Sequence, residues 1–204
     1  MVVDAAQLAE QRERAERNAE TRDRLLDGVI HIASTRGLDK VTSRAVGAQT
    51  GLSHSLVRFY FGTVDAMIVA ALERAAQLDV AEGHLLADDI EVFGSHIAEA
   101  ISQNQARGML QFDYLLRAVR GGVPVERVAR LYDYYQSQIA GTLQNLRIDD
   151  PDGALAALIF AALDGLVLQH AIHDSAERTD RALDRLRQVL RMLQPDAPET
   201  SNTA

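Results

Sequence analysis

Apolar side chains recur along this chain at three- and four-residue intervals, the spacing of one face of an α-helix. From Thr21 the repeat is firm. Leu25, Val29, Ile32 and Ala33 share a face, and Gly37 stops the helix. Two short helices are predicted next. Thr42 caps one from Ser43 to Gln49 or Thr50, which Gly51 ends; Ser53 caps a second over 54–60. Val41, Val46, Leu52, Val57 and Phe61 are placed to form their small core. Thr63 then caps a longer helix to about Asp79.

Five further helices are expected. The first runs from Asp88 or Asp89 to near Asn104, and the second from Arg107 to Arg120, where Gly121-Gly122 stops it. The third is opened by Pro124 and ends near Arg147. The fourth, from Asp150-Pro151 to about His173, is apolar nearly all round. The last, capped by Thr179, ends before Pro195. Nothing alternates as a strand does, and no Asn-Gly hairpin appears. The pattern therefore predicts an all-α chain of about nine helices. Its N-terminal three helices form a helix-turn-helix domain, and a C-terminal helical bundle follows. Residues 1–20 are charged, of mixed sign and poor in large apolar groups, so they are expected to form an arm or a frayed helix.

Composition narrows the chemistry. The 204 residues include no cysteine, which excludes disulfides, thiolate metal sites and cysteine nucleophiles. The net charge is −8, but it is unevenly spread. Residues 22–62 carry six basic and three acidic side chains, whereas residues 63–204 carry twelve and twenty-one. A mildly basic front precedes an acidic body, so a nucleic-acid partner is not excluded by the total. No secretory signal is visible. The run Ala154–Leu168 is interrupted by Asp164 and Gly165 and reads as a buried helix rather than a membrane span. A cytoplasmic protein without a membrane role is expected.

About fifty residues carry a resemblance. Gly37, Val41-Thr42-Ser43-Arg44, Thr50-Gly51-Leu52-Ser53 and Phe59-Tyr60-Phe61-Gly62 follow one another in an order that resembles the DNA-binding domain of the TetR family of bacterial transcription regulators. Two positions depart from the commoner pattern. Arg58 stands where a tyrosine is usual, and Val64 where a lysine is usual. The first change keeps a phosphate-binding group; the second removes one. The resemblance implies a double-stranded DNA operator, a homodimer joined through a four-helix bundle and a small-molecule effector. The implied domains are the arm 1–20, the helix-turn-helix domain 21–67, a ligand-binding and dimerisation domain 68–194 and a disordered tail 195–204.

On that resemblance the second short helix enters the major groove and presents Ser53, His54 and Ser55 to base edges. These side chains are short, so direct reading of bases is sparse. Thr42, Ser43, Arg44, Arg58, Tyr60 and Thr63 are placed for phosphates. Arg22 and Arg24, or Arg12 to Arg17, are placed for a minor groove. Thr42, Ser53 and Thr63 are equally good helix caps without DNA, and Phe59 and Tyr60 also read as aromatics at the edge of the core.

The acidic body suggests association and sensing. Leu183, Leu186, Leu190 and Leu193 follow a three-then-four spacing, and with Leu166 they are the expected dimer interface. Arg181, Asp184, Arg185, Arg187 and Arg191 are expected on the remaining faces. Four of the five tyrosines stand in the helices 107–120 and 124–147. Tyrosine offers an apolar wall with a polar tip, which suits a ligand pocket or plain packing. Phe112, Tyr132, Tyr135, Phe160 and Asp164 are the candidate ligand-binding residues. His170 and His173 have a weak metal-ligand spacing, and no metal or other cofactor is expected. No phosphate-binding glycine loop, nucleophile elbow or zinc-protease motif is present, so no enzyme is predicted. The alternative reading is an all-helical small-molecule-binding protein or enzyme without a DNA role.

Overall fold

The computed structural model describes residues 5–195. Among them are nine α-helices, one short 3-10 turn and no strand. The helices are α1 (Ala5–Arg36), α2 (Ser43–Thr50), α3 (His54–Phe61), α4 (Val64–Glu82), α5 (Ile97–Gln103), α6 (Gln105–Val119), α7 (Val125–Asn145), α8 (Ala154–His173) and α9 (Ala176–Leu193), with the 3-10 turn at Leu38–Lys40. The chain divides into two compact units. One is built from the chain up to Ala75 together with Ala106–Arg127, the other from Ala76–Gln105 and from Val128 onward. The tail expectation falls on residues 196–204, which lie outside the described residues.

In the first unit α1 buries the face that its periodicity marks: Leu25, Leu26, Val29, Ile32 and Ala33. Val41, Val46, Val57, Met67 and Leu72 complete the small core, and α6 adds Leu110, Tyr114 and Ala118. Of the arm and the helix expected before Thr21, the described residues form the helix: α1 runs from Ala5, and residues 7–20 are exposed and rich in the strong helix formers Ala, Glu, Arg and Gln, with Glu13 and Arg17 paired one turn apart at 3.4 Å.

The corner between α2 and α3 is closed by two glycines. Gly51 takes the left-handed conformation (φ 69°) that ends α2. Gly47, inside α2, leaves room for the chain to pass close by: a Cβ there would lie 2.7 Å from the Leu52 carbonyl oxygen and 3.2 Å from the His54 nitrogen. The Leu52 amide donates to the Gly47 carbonyl at 3.0 Å, so the turn folds back on the helix it has just left.

The second unit is a helical core around Phe93, Ile139, Leu143, Leu163 and Leu190. Two predicted boundaries are corrected here. The helix expected from Asp88 or Asp89 begins only at Ile97, and residues 91–96 are turns. Other hydrogen bonds hold the backbone here: the Gly94 amide donates to the His84 carbonyl (3.2 Å) and the Phe93 carbonyl accepts from Arg187 (2.8 Å). Just upstream, Thr142 Oγ1 accepts from the Ala87 amide (2.7 Å) and donates to the Leu85 carbonyl (2.8 Å), while Asn145 donates to the Ala87 carbonyl (3.0 Å). The last helix is capped by Ser175, whose hydroxyl accepts from the Arg178 amide, and not by Thr179. Thr179 is buried against His170 (2.9 Å).

Replacing a helical glycine by alanine ordinarily stabilises a helix. Gly47→Ala has the opposite sign here, because the new Cβ meets backbone that cannot swing aside. A loss of about 1–3 kcal/mol is expected in urea or thermal unfolding. A neutral or stabilising result would mean that the corner is not closed as described.

Candidate nucleic-acid interface

Each short helix is started by a side chain that its own sequence supplies. Thr42 Oγ1 accepts from the Ala45 amide (3.1 Å), Ser53 Oγ from the Leu56 amide (3.2 Å) and Thr63 Oγ1 from the Ala66 amide (3.1 Å). A capping hydroxyl accepts with its oxygen and keeps its own proton to donate. Capping and phosphate binding are therefore compatible roles for these three residues, all exposed.

Val57 is the buried residue of α3, and this fixes which side faces out. His54, Ser55, Arg58 and Phe59 are exposed, and 54/58 and 55/59 are one-turn pairs on that outer face. On α2 Arg44 is exposed and Ser43 half-buried. Among the described residues no hydrogen bond or ion pair engages the side chains of Arg44, His54, Ser55 or Arg58. Residues 40–64 contain Lys40, Arg44 and Arg58 and not one Asp or Glu. The face is thus a cationic, donor-rich surface on an otherwise acidic chain.

Arg22, Arg24 and Tyr60 each find a partner within this unit. Arg24 donates to the Thr50 carbonyl at the end of α2, and the Arg22 guanidinium lies over the Phe61 ring, 5.8 Å from its centroid. Both contacts tie α1 to the helix-turn-helix. Arg12 to Arg17 are exposed on the continuous helix α1. Tyr60 is half-buried and its hydroxyl donates to Asn18 Oδ1 at 3.3 Å. This bond ties the end of α3 to α1. Phe59, for which the core edge was one of two readings, is 81% exposed.

Within the same unit, ion pairs tie the helices that follow to this head. Arg117 on α6 bonds Asp39 in the 3-10 turn (2.8 Å), and Arg127 on α7 bonds Asp65 in the first turn of α4 (2.8 Å). The Arg117 hydrogen bond, then its charge, hold the Asp39 carboxyl below the usual carboxylate range.

In the second unit four of the five candidate ligand residues meet. The Phe160 ring lies edge-to-face with Tyr132 (4.8 Å between centroids) and stacked on Tyr135 (5.0 Å). The Tyr132 hydroxyl donates to Asp164 Oδ2 (3.2 Å), and Tyr135 donates to Asp79 (2.8 Å), a partner that sequence reading missed. Phe112 is on α6, in the first unit, and is not part of this cluster. Burial is the main cause that lifts the Asp164 carboxyl above its ordinary value; the Tyr132 bond opposes it. Burial, and then Asp164, push Tyr132 up to about 12. The His170 ring nitrogens contact the hydroxyls of Thr179 (2.9 Å) and Ser102 (3.0 Å). No group of three or more His, Asp or Glu among the described residues is placed to hold a metal.

The expected leucine interface is corrected in part. Leu183 and Leu190 are 2% and 0% exposed inside their own unit, and Leu166 and Leu186 are half-buried against the same core. Of the five, Leu193 is exposed. Arg187, expected on an outer face, is also buried, donating to the Phe93 carbonyl (2.8 Å) and to Asp184 (2.7 Å). The apolar side chains that do face out on α8 and α9 are Leu158, Leu168, Ile172, Val189, Met192 and Leu193.

No protein-family model matches the chain, and no curated protein matches it. Solved structures do. A TetR-family protein from Streptomyces coelicolor A3 shares 24% identity at a TM-score of 0.61, over 85% of this chain and 98% of its own. A Rhodococcus sp. protein assigned to the TetR-family transcriptional regulators is 17% identical with a TM-score of 0.70, over 87% and 100%. The multidrug binding protein EbrR, solved with imidazole, is 23% identical with a TM-score of 0.55, over 89% and 93%. The chain has the fold of these proteins: all-helical, with an N-terminal helix-turn-helix.

A carboxyl whose pKa is raised on folding is less stable ionised in the folded chain than in the unfolded one. Its cost is absent below the ordinary carboxylate value, grows as pH rises through the raised value, and is constant above it. Asp164→Asn removes that cost and keeps an acceptor for Tyr132. The variant is expected to be more stable than the parent at pH 7, with the difference shrinking toward pH 4 in parallel denaturation curves. A variant less stable at every pH would contradict the assignment.

Proposed function

We propose that this chain is a TetR-family transcriptional regulator: a cytoplasmic homodimer that binds a palindromic operator as a repressor and is released by a small molecule. The observation that carries the reading is the outer face of α2 and α3. It combines three capping hydroxyls, two unengaged arginines and a total absence of acids over residues 40–64, on the fold of known regulators. Ser53, His54 and Ser55 then face base edges. Thr42, Ser43, Arg44, Arg58 and Thr63 hold phosphates, helped by free amides at the helix starts.

The exposed apolar face of α8 and α9 supports the dimer. Leu158, Ile172 and Met192 are 67%, 75% and 76% exposed, too many large apolar groups on adjacent helices to be left to water. A two-fold dimer places its two recognition helices in successive major grooves, roughly 35 Å apart.

The aromatic cluster of Tyr132, Tyr135 and Phe160 beside Asp164 is the proposed effector site. Proteins of this fold accept small molecules: EbrR holds ethidium, and a Saccharomonospora viridis transcriptional regulator holds choline. The effector shifts α4, the helix that follows the helix-turn-helix. The effector must bind the released state more tightly than the DNA-bound state, typically by about 1–3 kcal/mol. No catalytic role is assigned.

Two measurements test this reading. On duplex selected from a random pool, Arg44→Ala and Arg58→Ala each remove two phosphate contacts per dimer. Each is expected to lower the slope of log affinity against log salt by about 2. Unchanged slopes would show that this face does not meet DNA. In light scattering, Ile172→Arg is expected to give a folded monomer, whereas Leu183→Ala destabilises the fold by about 2–5 kcal/mol. A monomeric parent, or a dimer that survives Ile172→Arg intact, would refute the α8–α9 interface.

A further inference from the structure

Phe59 does no work in the free protein. Among the described large apolar residues it is the most exposed, at 81%, and it lies on the outer face of α3 beside Arg58, one turn from Ser55. Nothing about α3 requires an aromatic there, since Val57 supplies the buried contact. Its position is nonetheless braced. The ring meets Tyr60 edge-to-face (5.6 Å, 83°), Tyr60 is bonded to Asn18 on α1, and Tyr60 in turn packs on Phe61 beneath Arg22. An aromatic ladder thus holds one large apolar side chain out from a cationic surface.

The surroundings decide what covers it. The absence of acids over residues 40–64, with Arg44 and Arg58 unengaged, selects a polyanion over a second apolar protein face. On the floor of the major groove the apolar feature available to such a side chain is the C5-methyl of thymine. The neighbours of Phe59 on this face, Ser55 and His54, are too short to crowd it out.

We propose that Phe59 is a specificity-determining residue that packs on the C5-methyl of one thymine in each operator half-site. The inference rests on the regulator reading, and its test separates the two. Full-length protein selects a duplex from a random pool, and each thymine of the selected site is replaced in turn by deoxyuridine, which deletes the methyl alone. For the parent, deoxyuridine at one thymine per half-site is expected to weaken binding about fourfold, the worth of one buried methyl-sized group. Phe59→Ala, whose thermal unfolding should match the parent, is expected to bind both duplexes equally. Parent protein indifferent to every deoxyuridine, a selected half-site without thymine, or Phe59→Ala retaining the full discrimination would each overturn the role of Phe59 while leaving DNA binding intact. A parent that selects no duplex at all would overturn the regulator reading, and this inference with it.

Discussion

The head of this protein depends on one close approach, the passage of Leu52 and His54 over Gly47. A turn that folds back tightly on its own helix sets the angle between α2 and α3, and only a residue without a Cβ allows it. The corner is then locked from outside. Arg24 on α1 satisfies the Thr50 carbonyl, and the Thr50 side chain is buried with its hydroxyl on the Val46 carbonyl. With the corner fixed, Val57 must point inward, and His54, Ser55, Arg58 and Phe59 must point outward. The chemistry offered to a partner follows from a packing constraint, not from a property of those four residues alone.

A second constraint concerns α8, which is apolar nearly all round. A helix without a polar face needs cover on every side. Ile159, Leu163 and His170 find it in their own unit, while Leu158, Leu168 and Ile172 do not. The same division runs through α9, where Leu183 and Leu190 face inward and Val189 and Met192 outward. The proposed association thus falls to the residues left over after the core is complete, and the buried leucines hold the helix on which those residues are displayed.

What could be read in the sequence was mostly local. Thr42, Ser53 and Thr63 announce helix starts because a cap bonds an amide three residues on, and Gly51 announces a stop because it alone accepts the left-handed turn. What could not be read was which neighbour a side chain meets. Periodicity marks Leu183 and Leu190 as one face of α9 but does not say whether their own unit or a partner covers it. The segment before α5 looks helical, yet its Gly94 amide turns back to His84 and its Phe93 carbonyl is taken by Arg187, more than ninety residues away. The partners that Arg22, Arg24 and Tyr60 find on other helices are likewise invisible in the chain order. Phe59 was missed for the opposite reason: an aromatic beside Tyr60 and Phe61 is expected to be packed, and only the orientation of α3 shows that it is not. The proposed effector cluster was partly legible, since Tyr132 and Tyr135 carry polar tips and Asp164 is a carboxylate on the apolar helix that also bears Phe160. Phe112 is another aromatic but belongs to the other unit.

The account stands on the claim that two copies of the α2–α3 face meet one DNA duplex. Hydroxyl-radical footprinting of the protein on its selected duplex tests this most directly. Two protected backbone patches on one side of the duplex, centred about one helical turn (10–10.5 base pairs) or a multiple apart and lost together in Ile172→Arg, are the predicted result. A single patch, or a uniform weak protection indifferent to that substitution, would contradict it.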